Sequence, residues 1–485
     1  MITLLPCPVF KGRNKWWLLL IASIIFIAYQ LDNIPRTDDE YLSEQLYWLI
    51  YHGKVRSDLG YHDLGYDTYQ SIYHKLFVYS GYVFCTVFDW SLYTLHSLSF
   101  LYFILFLVIF YFYTKTRSVS TDNYQFFAVT ILLLFNQDLL YAAGDFRPET
   151  MIMALGFTAY ALLEKYLRQG KTSALALSAF CAGLCMFAHL NGIIFIIAGC
   201  LLLLLRKKWK AAIIYGLVAI IAFLPYFVDI LYNADLAYFW HQFTHDPVLH
   251  SSVIHWYDPL LKIVNEQSRF LFTEKQIILT ASLIVVLLFS YKRLKQTHAT
   301  LLSYTLVLIV SLALVCPSKS SKYMVLYLPF LYLILVEGWQ YMEASNIKPK
   351  IYTIRILIAA GILVSLFYSG RQIAVNIANL RSGGVIAEHK ALTNKIEADH
   401  KTVNLLAPRL MVFNELGKFN RLQDIGMVAK ENFRNYISSS DIDYVIFSEQ
   451  DRNYFHLDQL LQEKDSPLIL KDSTAHYILT EVRKH

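Results

Sequence analysis

Charge is scarce in this sequence. Asp, Glu, Lys and Arg make up 16% of its 485 residues, where soluble domains carry about 25%. A shortage of that size excludes an ordinary soluble enzyme. Cysteine is scarce too: Cys7, Cys85, Cys181, Cys185, Cys200 and Cys316 are all there are. No disulfide framework is therefore available to the C-terminal part. Cys181 and Cys185 share a helix face, but no His or third Cys flanks them as a metal site requires. His241 and His245 have a spacing that permits a shared metal, yet no HExxH-type acid accompanies them, so no metal is assigned there. Tandem repeats and low-complexity tracts are lacking. The net charge of +6 comes from short Lys and Arg clusters between apolar runs, a pattern that excludes a nucleic-acid partner.

What the sequence has is apolar surface: 56% of residues are hydrophobic and 15% aromatic. It reads as a polytopic α-helical membrane protein. Eleven apolar runs qualify as spans: 16–31, 97–113, 124–141, 149–163, 173–188, 190–205, 211–230, 276–290, 300–316, 323–338 and 351–369. Several are shorter than the ~20 residues a perpendicular helix needs, so their limits are soft. The first run follows KGRNK and imitates a signal peptide, but a cut after Ala28 would put Phe26 at the −3 position. It is expected to stay as an uncleaved first span. HLNG alone separates 173–188 from 190–205, and merging that pair would invert everything downstream. The positive-inside rule decides against merging. With the N-terminus cytoplasmic, segments 11–15, 114–123, 164–172, 206–210, 291–299 and 339–350 lie inside and hold seventeen Lys and Arg residues. The short outer turns hold only Arg147, Lys319 and Lys322. The expected location is a multi-pass (inner) cell membrane protein with the C-terminus outside.

Two regions are not membrane. Within the transmembrane domain, 1–370, the outer loops are 32–96 and 231–275; the former is Tyr-rich and expected along the membrane surface. Residues 371–485 read as a small extracytoplasmic α/β domain. In it DYVIFS (443–448), HYILTEV (476–482) and TVNLLA (402–407) have strand character, and HLDQLLQEK (456–464) has helix character.

On this topology the unusual polar groups collect at the outer face: TDDE (37–40), GDFRPE (144–149), AHLNG (188–192), FTHDPVLH (243–250) and PSKSSKY (317–323). Carboxylates remove a proton from a hydroxyl, while Arg and Lys hold a phosphate as it leaves. A phosphate at that depth belongs to a lipid-linked donor. Each motif also has a plainer reading. Thr37 and Glu40 fit a helix capping box, and Arg147 can snorkel or pair with Glu149. His189 and Asn191 can satisfy a tight turn, and Lys319 and Lys322 can be interfacial lysines.

The ordered set resembles the GT-C superfamily of membrane glycosyltransferases, in particular bacterial relatives of protein O-mannosyltransferases and the lipid A aminoarabinose transferase. The likeness rests on Asp39-Glu40 in the first outer loop, Arg147-Pro148-Glu149 opening a later span, the HLNG turn, and SKSSKYMVLYLPF. It covers roughly residues 16–340. His96 stands where the family often has Arg, and Asp38 duplicates the acid. The resemblance implies inverting transfer from a polyprenyl-phosphate-linked sugar donor to an extracytoplasmic acceptor, which is a glycan, lipid or protein. Asp39 would be the general base or orient the acceptor, supported by Glu40 and Asp38, with a divalent cation as a possible addition. Arg147, Glu149, His189, Lys319, Lys322 and Tyr323 would bind the donor phosphate and sugar. A polysaccharide polymerase or ligase, and a multi-span lipid or solute transporter, are the alternatives. A transporter site needs ionisable residues near span midpoints, and here Asp138 and Asp229 lie close to outer ends.

Overall fold

The computed structural model describes residues 14–30, 37–59, 64–117, 123–232, 236–246, 255–316, 319–344, 348–382, 384–396 and 399–483. The chain forms two compact units. The first comprises Met1–Leu31, Tyr73–Ser80 and His96–Ile373; the second comprises Asp32–Ile72, Gly81–Leu95 and Ala374–His485.

The first unit is helical. Among the described residues, four helices are long and apolar enough to cross a membrane: Leu92–Arg117, Trp209–Tyr232, Glu274–Thr297 and Tyr352–Ala378. Shorter apolar helices, among them Thr172–Ala188, Leu190–Leu205 and Ala299–Val315, accompany them. Helix–helix contact uses small residues and rings. At Gly183 an added Cβ would sit 2.2 Å from the Ala219 carbonyl oxygen, so only glycine lets Thr172–Ala188 lie on that backbone. Tyr160 is buried against Tyr304 and Phe330, with ring centroids 4.9 and 5.2 Å away.

Three apolar runs depart from a plain span. The run 124–141 is two helices, Tyr124–Leu134 and Gln137–Gly144, bent by 78°. Asn136 starts the second by accepting the Leu139 N–H at 3.0 Å, and its amide donates to Tyr332 Oη at 3.1 Å. The run 211–230 tightens into a 3₁₀ turn at Leu224–Phe227, where Pro225 removes a backbone donor. The run 323–338 begins as a 3₁₀ turn, Ser321–Leu326, before the helix Leu328–Ala344.

The second unit holds the helix Thr37–His52 and a five-stranded sheet. The strands are β1 (Asn404–Ala407), β2 (Arg421–Asp424), β3 (Tyr444–Ser448), β4 (Leu468–Ser473) and β5 (Tyr477–Val482), in the order β2-β1-β3-β5-β4. β1 pairs in parallel with β2 and β3, while β5 pairs antiparallel with β3 and β4. Alternation builds two cores. Leu405, Ala407 and Ile446 face one side; Leu406, Val445 and Phe447 face the other, against Phe433 and Phe455.

Candidate active site

In the first unit the segment Asp145-Phe146-Arg147-Pro148 is pinned from the backbone upward. Ser99, buried in the helix Leu92–Arg117, accepts the Arg147 N–H at 3.0 Å and donates to the Arg147 carbonyl at 3.1 Å. Thr150 Oγ1 donates to the Ser99 carbonyl at 2.9 Å. Pro148 precedes the helix Glu149–Gln169, where its missing N–H costs nothing. The Arg147 side chain is buried and meets Glu149 two-pronged, Nε to Oε2 at 3.0 Å and Nη2 to Oε1 at 2.5 Å. The plainer reading, a pair with Glu149, is therefore realised; a pair this enclosed also leaves Arg147 oriented.

The HLNG turn is equally local. His189 Nδ1 accepts the Asn191 N–H at 3.0 Å, so the neutral ring carries its proton on Nε2. Gly192 is obligatory here: a Cβ would lie 2.2 Å from the Cys185 backbone. Around His189 runs a ladder of rings. His74 stacks on it at 4.2 Å with planes 17° apart, and Tyr323 meets it edge-on at 5.9 Å. The Arg269 guanidinium lies 5.5 Å from the Tyr323 centroid. The ladder thus joins His74, His189, Tyr323 and Arg269 in one row.

Of the two lysines in PSKSSKY, Lys319 is engaged three times. It donates to Glu266 Oε2 at 3.1 Å and to the Ala313 and Cys316 carbonyls at 2.7 and 3.4 Å. Arg269 Nε approaches the other Glu266 oxygen at 3.3 Å, so two cations share one carboxylate. Lys322 is half-buried in the 3₁₀ turn beside Tyr323. Pro317 lies outside the described residues.

His74, Lys75, Ser99, Glu266 and Arg269 were missed at the level of sequence, where Asp229 stands out only as an acid close to a span's outer end. Lys75 is fully buried; its Nζ meets Asp229 Oδ1 at 2.5 Å and the Tyr226 carbonyl at 2.8 Å. The pair fixes the residue after His74 and so sets where that ring can stack. A signal existed: Lys75 is a lone cation opening an apolar helix, and Arg269 is one of three cations in 231–275.

The opening acids lie in the second unit, on the helix Thr37–His52. The side chain of Asp38 and that of Thr37 fall outside the described residues. Asp39 and Glu40 are both fully buried. Neighbours on a helix point about 100° apart, so the two carboxylates do not share a direction. Glu40 accepts no hydrogen bond from any described residue, so the expected capping box does not occupy it. Its neighbours include Asp424 and Arg409; Arg409 pairs with Asp424 at 2.6 Å and lies 6.0 Å from the Tyr41 ring. Burial, then Asp39 and Asp424, push the Glu40 carboxyl well above the usual carboxylate range, with Arg409 opposing. Glu44 anchors the following loop. Its carboxylate accepts from Trp48 Nε1 at 3.3 Å, Ser57 Oγ at 2.6 Å and the Asp58 N–H at 2.6 Å.

No group of three or more His, Cys, Asp or Glu residues among the described ones is placed to hold a metal ion. The His241 and His245 rings lie 4.4 Å apart, tilted by 36°, at the end of the helix Leu236–His245. Half of FTHDPVLH, residues 247–250, lies outside the described residues.

A helical unit carrying these turn clusters, and a second unit with an acid-bearing helix beside a small mixed sheet, make a fold shared with solved structures of ArnT and of an archaeal oligosaccharyltransferase. The chain is similar throughout to ArnT from Cupriavidus metallidurans bound to undecaprenyl phosphate: TM-score 0.60, 9% identity, 97% of this chain and 98% of that one covered. The apo form of the same ArnT aligns with a TM-score of 0.59 and 11% identity, over 97% and 98% of the two chains. It is also similar to the oligosaccharyltransferase AglB from Archaeoglobus fulgidus in complex with an inhibitory peptide and a dolichol-phosphate: TM-score 0.51, 12% identity, 90% and 70% covered. No family model matches the sequence, and no curated protein matches it either. At such identities the likeness is one of fold.

Proposed function

We propose that the protein is an inverting glycosyltransferase that moves a sugar from a polyprenyl-phosphate donor to an extracytoplasmic acceptor hydroxyl. The observation that carries this is the row of half-buried His74, His189 and Tyr323 ending on the buried Arg269, with Arg147 and Lys322 nearby in charge, on a fold shared with ArnT. In the reaction the acceptor oxygen attacks the anomeric carbon, and the bond to phosphate breaks with its electron pair on the phosphate. Arg147, Arg269 and Lys322 stabilise that growing charge. Glu149 holds the Arg147 fork, and Glu266 holds both Arg269 and Lys319. His189 and Tyr323 line the sugar or phosphate. Asp39 takes the acceptor proton, supported by Glu40 and Asp38. We assign the chain eleven spans, an N-terminus inside and an extracytoplasmic domain at 371–485, in a cell inner membrane.

Arg147→Lys tests the phosphate role. A planar fork becomes a point charge and the two-pronged hold on Glu149 is lost. Donor KM should rise about tenfold or more, with acceptor KM little changed. Wild-type donor kinetics in the variant would return Arg147 to a purely interfacial role.

A further inference from the structure

The second unit contains a polar cavity of about 310 Å³ at the N-terminal end of strands β1 and β2, the opposite end of β2 from Asp424. Asn404 begins β1 and Arg421 begins β2; Asp441 stands just before β3. From the first loop, Arg56, Asp58 and Asp67 line the open cavity, with Asn420 at its rim. Each wall group is held by another. Arg421 pairs with Asp67, and Arg56 pairs with Asp58 at 3.6 Å while lying on the Trp48 ring at 3.5 Å. Asn404 Nδ2 donates to the Asp441 carbonyl at 2.5 Å, and Asn420 Nδ2 donates to Asn404 Oδ1 at 2.8 Å. The walls are therefore set before any ligand arrives.

Their chemistry narrows the ligand. Two guanidinium groups face three carboxylates, so the lining gives an added phosphate or carboxylate no net attraction. Among the described residues no aliphatic or aromatic side chain lines the cavity, so an apolar group would strand polar ones. A hydroxyl-rich, uncharged ligand fits: each hydroxyl both donates and accepts, carboxylates and amide oxygens take its protons, and guanidinium and amide N–H groups meet its oxygens. The volume is at the small end of the range for ligand pockets, roughly 300–1,000 Å³, and suits one sugar ring.

We propose that this cavity binds a neutral sugar unit of the acceptor, making the acceptor a glycan; the assignment of that sugar as acceptor rests on the glycosyltransferase reading above. The site holds the chain by a ring that does not itself react, and so orients the hydroxyl that does.

The test uses the full-length protein in detergent with four uncharged probes, the methyl pyranosides of glucose, galactose, mannose and N-acetylglucosamine, followed by ligand-observed saturation-transfer NMR. At least one should bind with Kd on the order of 1 mM. Asn420→Leu, which puts an apolar branch at the exposed rim, should weaken it at least tenfold. Arg56→Met, which keeps a stem over Trp48, should do the same and serves where Asn420→Leu lowers the melting temperature. Absence of binding by all four, unchanged binding in both variants, or tighter binding of glucose 1-phosphate at the same cavity would each overturn the site. Donor consumption is measured on the same preparations. Turnover of a polyprenyl-phosphate sugar without glycoside binding sinks the cavity and leaves the glycosyltransferase standing. Glycoside binding that needs Asn420, with no donor ever consumed, sustains the cavity as a sugar site and removes the enzyme.

Discussion

The two neighbouring acids Asp39 and Glu40 look alike in sequence and differ in surroundings. Glu40 is buried among Asp39, Asp424 and Arg409, and its carboxyl is pushed toward the neutral form. A neutral carboxyl is a poor proton acceptor, which favours Asp39 over Glu40 as the proposed base. Asp39→Asn keeps size and helix-start character while removing the basic oxygen. A base lost in this way costs roughly 10²–10⁴-fold in rate, with donor binding kept. A carboxylate that merely capped the helix would cost about 1 kcal/mol of stability and leave transfer intact. Glu40→Gln copies the protonated acid, and its rate should fall less than that of Asp39→Asn. Transfer assays in membranes at matched expression separate these outcomes; near-normal transfer by Asp39→Asn would end its candidacy.

Between helix Thr37–His52 and its loop, Glu44 shows how an acid can be structural. Burial raises its carboxyl from the ordinary 4.5 to about 8, chiefly by desolvation and then by Asp58, while its hydrogen bonds to Ser57, Asp58 and Trp48 oppose the shift. Asp58 beside it is raised to about 6, also chiefly by burial. Folded-state values above the unfolded ones mean that the folded state binds more protons. The stabilising contribution is full below the unfolded values and lost as pH rises through the folded ones. The second unit should therefore be firmer near pH 5 than near pH 8. When protonated, Glu44 donates to Ser57 Oγ, whose hydroxyl can turn; a Gln amide does the same without titrating. Glu44→Gln is expected to flatten the dependence and to raise stability at pH 8 on the order of 1–2 kcal/mol. Amide exchange of residues 53–59 across that range, in both proteins, is the measurement. A slope unchanged by the substitution would show that Glu44 stays ionised in its three hydrogen bonds.

Over the whole chain, what could be read in advance was what depends on near neighbours. Apolar runs became helices, and TVNLLA, DYVIFS and HYILTEV became β1, β3 and β5. β2 escaped because RLQD is short and polar, and β4 because LILKDS buries only Leu468 and carries a register shift. The bend after Leu134 escaped because Asn136 acts through Tyr332, nearly two hundred residues away. The same holds for the site. Arg147, Glu149, His189 and Tyr323 announced themselves as motifs; His74, Ser99 and Arg269 gain meaning only through partners remote in sequence. Sidedness, by contrast, is a property of cation counts and can be tested without any fold. Lys208 stands in RKKWK, the densest inside cluster, whereas Leu260 and Asn420 stand in segments assigned outside. Positive loops are retained on the cytoplasmic side during insertion. Single cysteines at these three positions, in a background freed of the native six, should react with an impermeant maleimide in intact cells at 260 and 420. Position 208 should react only after the membrane is opened. Labelling of 208 from outside would merge the helices flanking HLNG into one re-entrant unit. It would also move the cation-rich clusters to the wrong face, and with them the basis for treating Arg147, His189 and Lys322 as residues of one side.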